Sequence, residues 1–347
     1  MTTTIVTGGA GFVGSHVAEH FSRKHHDVIV LDNLSSPTTL RKSQRSDPYN
    51  WNYLKREHSN IKLCKIDLRN HPAVRDVATK PDIIIHTAGQ VAVTSSLADP
   101  RTDFEINALG TLNMLEIARL CDSSFVFCST NKVYGGNVNS IPVREESKRF
   151  VFDDKTYNYG IAEDFPVDHT GHSPYGCSKL AADIYVQDYA HTYGLKTGVF
   201  RMSCIFGERQ FGIEDQGLVA WFVIATMTGH PITIYGSGKQ VRDVLYVKDL
   251  VDAFDKFLTS KIKHSVFNIG GGASNTTSLL ELLDLLRTLT GKQPQFSFTT
   301  WRPSDQRVYI SDIRKAQEQL GWRPSVSLNE GLQRATKWVE QNRKLFE

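Results

Sequence analysis

Six short apolar runs punctuate the first 200 residues, at 3–6, 28–31, 61–64, 82–85, 125–128 and 197–200. Each is rich in β-branched or aromatic side chains. None alternates apolar with polar, as a strand with one wet face must. Such runs suit parallel strands covered on both faces. Between them, residues near 12–24, 102–120 and 175–193 read as helices. Parallel neighbours need a crossover, normally a helix. Repeated strand–helix–strand order therefore predicts an α/β fold with a doubly wound, mostly parallel sheet. Past about residue 205 the pattern changes. A helix at 217–229, a strand at 231–235, the turn Gly236-Ser237-Gly238, a strand at 266–269 and helices at 278–289 and 328–346 predict a smaller C-terminal lobe. The expected sheet domain takes 1–205 and 239–272, and the lobe takes 206–238 and 273–347.

A chain of 347 residues is long enough for two domains or one large one. With 40% apolar residues and a net charge of only +3, disorder as the main state is excluded. The longest nearly apolar stretch, 218–227, is about half a membrane span. No secretory leader is read at the N-terminus. Charges are interspersed without a basic block, so neither nucleic acid nor membrane is an expected partner. The five cysteines, Cys64, Cys121, Cys128, Cys177 and Cys204, are odd in number and form no CxxC. That pattern predicts no disulfide framework, no metal site and a reducing cytoplasm.

The string Thr7-Gly8-Gly9-Ala10-Gly11-Phe12-Val13-Gly14 follows the first strand and opens the first helix. Gly8, Gly11 and Gly14 let the chain turn tightly, let a pyrophosphate approach the backbone, and let the helix pack close to the sheet. The helix N-terminus then presents free N–H groups to the phosphates. Asp32 ends the second strand. A carboxylate there accepts both ribose hydroxyls of an adenosine and repels a 2′-phosphate, so NAD is expected over NADP. Arg41 and Lys42 are near, but well beyond the strand end. Asp67, after the third strand, is placed to meet the adenine, or more plainly to cap a helix. In His86-Thr87-Ala88-Gly89, Ala88 and Gly89 are small enough for a cofactor to lie over the strand end.

The reactive constellation is Thr130, Tyr175 and Lys179. Thr130 ends the fifth strand, and Tyr175 and Lys179, four apart, share a helix face. A tyrosine near pKa 10 is a poor base at neutral pH; a nearby ammonium and a positive nicotinamide favour its phenolate. The lysine can also hold the nicotinamide ribose, and Thr130 the substrate oxygen that exchanges a proton. A second YxxxK, Tyr235 to Lys239, contains two glycines, which argue against a helix. Cys177 lies two residues from both Tyr175 and Lys179, so it points to another face and is expected to pack.

Together TGGAGFVG, Asp32-Asn33-Leu34-Ser35, Asp67-Leu68-Arg69, HTAGQ at 86–90, STNKVYG at 129–135 and PYGCSK at 174–179 resemble the extended short-chain dehydrogenase/reductases acting on nucleotide sugars. The likeness spans nearly the whole chain. Within that family it is similar to the CDP-sugar 2-epimerase branch, on HTAGQVA, STNKVYG, HSPYGCSK, Asp215-Gln216-Gly217 and the string GKQVRDVL at 238–245. The resemblance implies a Rossmann domain with tightly held NAD, a nucleotide-sugar-binding lobe, no metal, and a homodimer or homotetramer. It adds Phe12, Val13, Asn33, Ser35 and Leu68 to the cofactor side, with Gln90, Asn107 and Met202. Nucleotide-sugar contacts carry over to Arg209, Gln216, Arg242, Arg302 and Asp305. Arg242 would meet the diphosphate, which a guanidinium fork suits, and Arg302 and Asp305 the nucleotide half. Val91, Thr94, Asn131, Lys132, Ser203 and Tyr235 join Thr130 as further substrate contacts. The stretch between Gly135 and Tyr175 is expected to fold over the sugar.

The reaction implied is inversion at C2 through a transient 2-ketone, CDP-paratose giving CDP-tyvelose, with CDP-glucose a second candidate. Two strings depart from the branch on the substrate side. Gly207-Glu208-Arg209-Gln210-Phe211 stands where Gly-Gly-Arg-Gln-Phe is usual, and Tyr246-Val247-Lys248-Asp249 where a His-Ala-Glu-Asp type is usual. Dehydratases of the superfamily carry Asp-Glu directly after the threonine. Here Asn131 and Lys132 stand there, so no acid protonates a leaving hydroxyl. Two other readings stay open: a sugar 4-epimerase with the same fold and chemistry, and a non-catalytic NAD-sensing protein. The latter has no need of Thr130, Tyr175 and Lys179 together.

Overall fold

The structure, a computed structural model, describes residues 1–35, 48–302 and 305–346. Arg41 and Lys42, weighed against Asp32 above, lie outside the described residues.

The six apolar runs become strands, each shifted or extended by one or two residues. With His264–Ile269 they form a seven-stranded sheet. Its spatial order is His264–Ile269, Thr197–Met202, Ser124–Thr130, Ile83–His86, Thr3–Thr7, Asp27–Asp32 and Ile61–Lys65. The first five strands in the chain pair in parallel, with Thr4 opposite both Val28 and Ile83. Their side chains show why the runs do not alternate. Ile5, Ile29, Leu31, Ile84, Phe125 and Phe127 pack on one side with Met114, Leu115, Ala182 and Val186. The intervening Val6, Val28, Val30, Ile85 and Val126 are equally buried, so neither face meets water. Strand order reverses between the first and fourth strands, the place where sheets of this type bind ligands beyond their carboxyl ends.

The first helix runs Phe12–Arg23 and the Tyr175 helix Ser173–Tyr193, as expected. The stretch expected at 102–120 is helical from Pro100 to Cys121, but its turn Glu105–Leu109 is a π-helix, which a periodicity argument cannot foresee.

The chain divides into two compact units: 1–133, 173–201 and 251–267; and 134–172, 202–250 and 268–347. This differs from the expected boundaries most at 134–172 and 239–250. Residues 134–172 carry no crossover helix. They form a hairpin, Val143–Glu145 against Phe150–Phe152, and Phe150 packs on Val241 and Val308. Residues 241–246 form a strand the sequence did not reveal. It pairs with Thr276–Ser278, Val308–Tyr309 and Cys204–Phe206, all within the second unit. The apolar stretch 218–227 is the helix Leu218–Thr228; its Phe222, Val223 and Ala225 pack with Ile232, Leu282 and Leu332 in that unit's core. Among the described residues no helix is long and apolar enough to cross a membrane. The closing helix is shorter than expected, Leu328–Gln341, followed by a 3₁₀ turn at Arg343–Leu345.

Candidate active site

The glycines after the first strand divide their work. Gly8 has φ +70°, and a Cβ there would lie 2.8 Å from the Ala88 backbone. A Cβ at Gly14 would run into the Gly8 carbonyl oxygen and come within 2.7 Å of Thr87 Oγ1. Gly14 is thus what lets the helix seat on the turn. A Cβ at Gly11 would meet only Gly8 O, at 3.0 Å, so its outer side stays open. The helix Phe12–Arg23 starts beyond Gly11, and no side-chain hydrogen bond caps it. Its first N–H groups, with the helix dipole, can meet an anion at Gly11, Phe12 and Val13. The cradle fits a pyrophosphate.

Asp32 stands beside it. Its Oδ2 accepts the Ala10 N–H at 2.9 Å and its Oδ1 the Leu34 N–H at 2.8 Å. Burial raises its pKa and the two backbone donors oppose the rise. Each oxygen keeps a lone pair for a ribose hydroxyl. Asn33 accepts from the Ser35 N–H and hydroxyl, and donates to Asp67 Oδ2 at 3.1 Å. Arg69 grips Asp67 through Nε and Nη2 at 3.0 and 2.8 Å and holds its carboxyl well below the usual range. The helix that follows is capped by Asn70, so capping is not the task of Asp67. Leu68 is in the apolar core, and its carbonyl accepts from Asn113.

The fourth strand ends at His86, which burial pushes down to about 3 and so keeps neutral. Thr111 gives its hydroxyl proton to the Asn107 carbonyl, so at 3.0 Å it accepts from His86 Nε2–H. His86 Nδ1 then accepts from Thr7 at 2.7 Å. Gln90 donates its backbone N–H to Asn107 Oδ1 at 2.9 Å, and Asn107 Nδ2 reaches the Gln90 carbonyl and Ser178 Oγ. Two residues the sequence analysis missed complete this knot. Asp103 accepts from Ser178 and Gln90, at 2.5 and 2.9 Å. Asp103 stands four residues before Asn107, a same-face helical spacing that could have flagged it. Val91 and Thr94 lie exposed just beyond.

Thr130, Tyr175 and Lys179, the expected reactive constellation, all lie buried in the first unit. Thr130 lies close enough to Tyr175 for its hydroxyl to favour the phenolate. Lys179 Nζ donates to the Cys128 carbonyl at 2.6 Å and lies 4.2 Å above the Phe127 ring. Burial pushes Lys179 down to about 8 and Tyr175 up to about 12. This corrects the expectation that the lysine lowers the tyrosine. The ammonium faces Cys128, and desolvation outweighs the effect of Thr130. Cys177 is also corrected: it is exposed, because 200° of helix rotation from the buried Tyr175 turns it to solvent. Asn131 and Lys132, half-buried, open the 3₁₀ stretch after Thr130.

In the second unit, Arg242 binds Asp305 Oδ1 at 2.6 Å and the Val241 carbonyl at 2.8 Å. Arg302 donates to the Glu214 carbonyl at 2.9 Å, pairs with Asp215 at 3.1 Å and stacks 4.0 Å over the Tyr235 ring. Tyr235 itself donates to Glu214 at 2.8 Å, and Lys239 to Glu145, so this Tyr–Lys pair is split between a strand end and a turn. Ser203 gives its hydroxyl to Asp243, and Met202, half-buried, closes the preceding strand. Arg209 is buried with φ +61°, and Gln216 exchanges backbone hydrogen bonds with Ile213.

The model of the NAD dependent epimerase/dehydratase family matches residues 4–270. The chain belongs to the NAD-dependent epimerase/dehydratase family. It is 41% identical over 346 residues to the CDP-paratose 2-epimerase of Salmonella typhi, covering 96% of this chain and 98% of that one. The crystal structure of UDP-glucose 4-epimerase from Thermotoga maritima, with UDP-glucose, matches at TM-score 0.82 and 30% identity, covering 99% and 100%. That of the Thermus thermophilus UDP-glucose 4-epimerase, complexed with NAD, matches at 0.77 and 30%, covering 98% and 99%. As a family member this chain is an NAD-dependent isomerase, and the glycine cradle and Asp32 are the features that suit the dinucleotide.

Proposed function

We propose that this family member inverts C2 of a CDP-sugar, converting CDP-paratose to CDP-tyvelose through a transient 2-ketone. The observation that carries this reading is the 41% identity with a CDP-paratose 2-epimerase, against 30% for the two 4-epimerases, all over nearly complete chains. Asn131 and Lys132 after Thr130 further disfavour dehydration, which needs an acid there. Bound NAD would supply a reversible hydride acceptor at the inverted carbon. Tyr175, beside Thr130, takes and returns the proton of the C2 hydroxyl, and Thr130 holds that oxygen. Lys179 holds the nicotinamide ribose and supplies positive charge beside it. Arg242 offers its remaining N–H donors to the diphosphate, and Arg302 and Asp305 meet the nucleotide. The same reading expects a homodimer or homotetramer in the cytoplasm; light scattering checks the assembly.

Incubation with CDP-paratose, CDP-glucose and UDP-glucose, followed by NMR of the epimerised carbon, tests the substrate. Inversion of UDP-glucose at C4 with the CDP-sugars untouched would favour the 4-epimerase reading. An unactivated carbinol carbon has no neighbouring carbonyl, so proton abstraction from it is out of reach of side-chain bases. Product formed in D₂O is therefore expected to carry no deuterium at C2. Substrate deuterated at C2 is expected to keep its label through inversion. Solvent deuterium at C2 would overturn the mechanism.

A further inference from the structure

We propose that Asp103 is a positioning residue. Its buried carboxylate fixes the Lys179 turn of the Ser173–Tyr193 helix against the loop after the fourth strand, and its charge balances the Lys179 ammonium. The inference rests on the roles given above to Tyr175 and Lys179, but not on which sugar is turned over.

Every neighbour of the Asp103 carboxylate is a donor. Ser178, adjacent to Lys179, gives its hydroxyl to Oδ2 at 2.5 Å. Gln90 Nε2 gives to Oδ1 at 2.9 Å, and Asn107 Nδ2 lies 3.2 Å from the same oxygen. Burial pushes the Asp103 pKa up, and the three donors, with Lys179, oppose the rise; the donor set suits an acceptor-only carboxylate. Gln90 uses its second amide hydrogen on the Ala92 carbonyl, and its own oxygen accepts the Ala92 N–H. The carboxylate therefore ties three segments, 90–92, 103–107 and 175–179, at one point. Asp103 is 1% exposed, and none of these partners carries a charge.

Lys179 needs such an anion. It is 4% exposed and has one carbonyl partner, on Cys128. The groups facing it are Asp183 on its own helix, neutral His86 on the fourth strand, the buried Cys128 thiol, and Asp103. Asp183 is already held by Arg201, at 3.0 and 3.2 Å, and by Ser129. Asp103 is the anion without a cationic contact of its own. Its field raises the pKa of Lys179 and also that of Tyr175.

The test is Asp103→Asn, which removes the charge and keeps one acceptor oxygen, beside Ser178→Ala, which removes a tie and keeps the charge. With the anion gone, both Lys179 and Tyr175 titrate lower. Both limbs of the kcat/KM profile should move to lower pH by about 0.5–1 unit, less than the roughly 1–3 units of a directly adjacent counter-charge. Ser178→Ala should lower kcat without moving the limbs. A second readout needs no sugar: NAD affinity, measured by calorimetry from pH 6 to 10. Its alkaline fall should shift downward in Asp103→Asn alone. If none of the sugars is turned over, the substrate reading fails while this titration still decides the role of Asp103. Unmoved limbs and an unmoved NAD titration in Asp103→Asn overturn the proposal, as do equal shifts in both variants. Should Asp103→Asn not fold, Asp103→Asn with Lys179→Met should, since both buried charges leave together. A double variant that also fails to fold overturns the proposal.

Discussion

Tyr175→Phe is expected to lower turnover by roughly 100- to 10,000-fold, the usual worth of a positioned acid–base group. Fold and cofactor content should be retained. The ring is buried and phenylalanine fills the same space, so packing is preserved. Thr130 keeps its own hydrogen bond, to Asn131 Oδ1 at 3.3 Å. The glycine cradle and Asp32 are untouched, so the dinucleotide released on denaturation should match the parent in amount. Tyr235→Phe is the control. That hydroxyl donates to Glu214 and its ring carries Arg302, neither of which moves a proton in the reaction. Its loss should cost a few-fold, mainly in KM. Initial rates, melting midpoints and nucleotide content of both variants give the answer. Equal losses, or a larger loss at Tyr235, would move the reaction centre away from Tyr175. The phenol's high intrinsic pKa in its buried setting sharpens the point. Tyr175 is pushed up to about 12 by desolvation, so the phenolate must be recovered when a positive nicotinamide is bound.

The sheet was legible because burying both faces of parallel strands leaves a mark that few other arrangements leave. The runs at 28–31 and 125–128 have no polar side to hide. The glycine string was legible because backbone approach admits few alternatives, and Tyr175 and Lys179 because four residues make one helix face. What escaped shares a different cause. Asp103 meets Ser178 across 75 positions of sequence, and no local period encodes that contact. The turn of Lys179 toward the Cys128 carbonyl depends on a backbone atom 51 positions away, which side-chain types do not announce. The unit boundary differs where residues 134–172 lack periodicity and at 241–246, where no strand was read; its partners, at 204–206, 276–278 and 308–309, assign it to the second unit. Cys177 followed the right geometry to the wrong environment: another face was correct, but that face is wet.

Gly11 and Gly14 of the glycine string should separate in experiment. Gly11 has φ −75° and ψ 177°, a backbone any residue adopts. An added methyl there meets the protein only at Gly8 O, 3.0 Å away. Gly11→Ala should therefore fold with a near-parental melting midpoint. Its methyl, however, occupies the side from which a pyrophosphate would approach the helix N-terminus. NAD affinity should fall at least about tenfold, equivalent to ~1.4 kcal/mol. Gly14 is the reverse case. Its methyl runs into the Gly8 carbonyl and crowds Thr87 Oγ1 at 2.7 Å. Thr87 is itself tied to the Thr7 carbonyl at 2.6 Å, so the first helix, the turn and the fourth strand end cannot all stay in place. Overpacking of this kind costs about 1–3 kcal/mol, which lowers the melting midpoint by several degrees. Thermal melts and calorimetric NAD titration of the two variants read both effects. A Gly11→Ala protein that binds NAD like the parent would show that the open side of Gly11 is not where the phosphates lie. A Gly14→Ala protein that melts like the parent would show that the helix seats on the turn with room to spare.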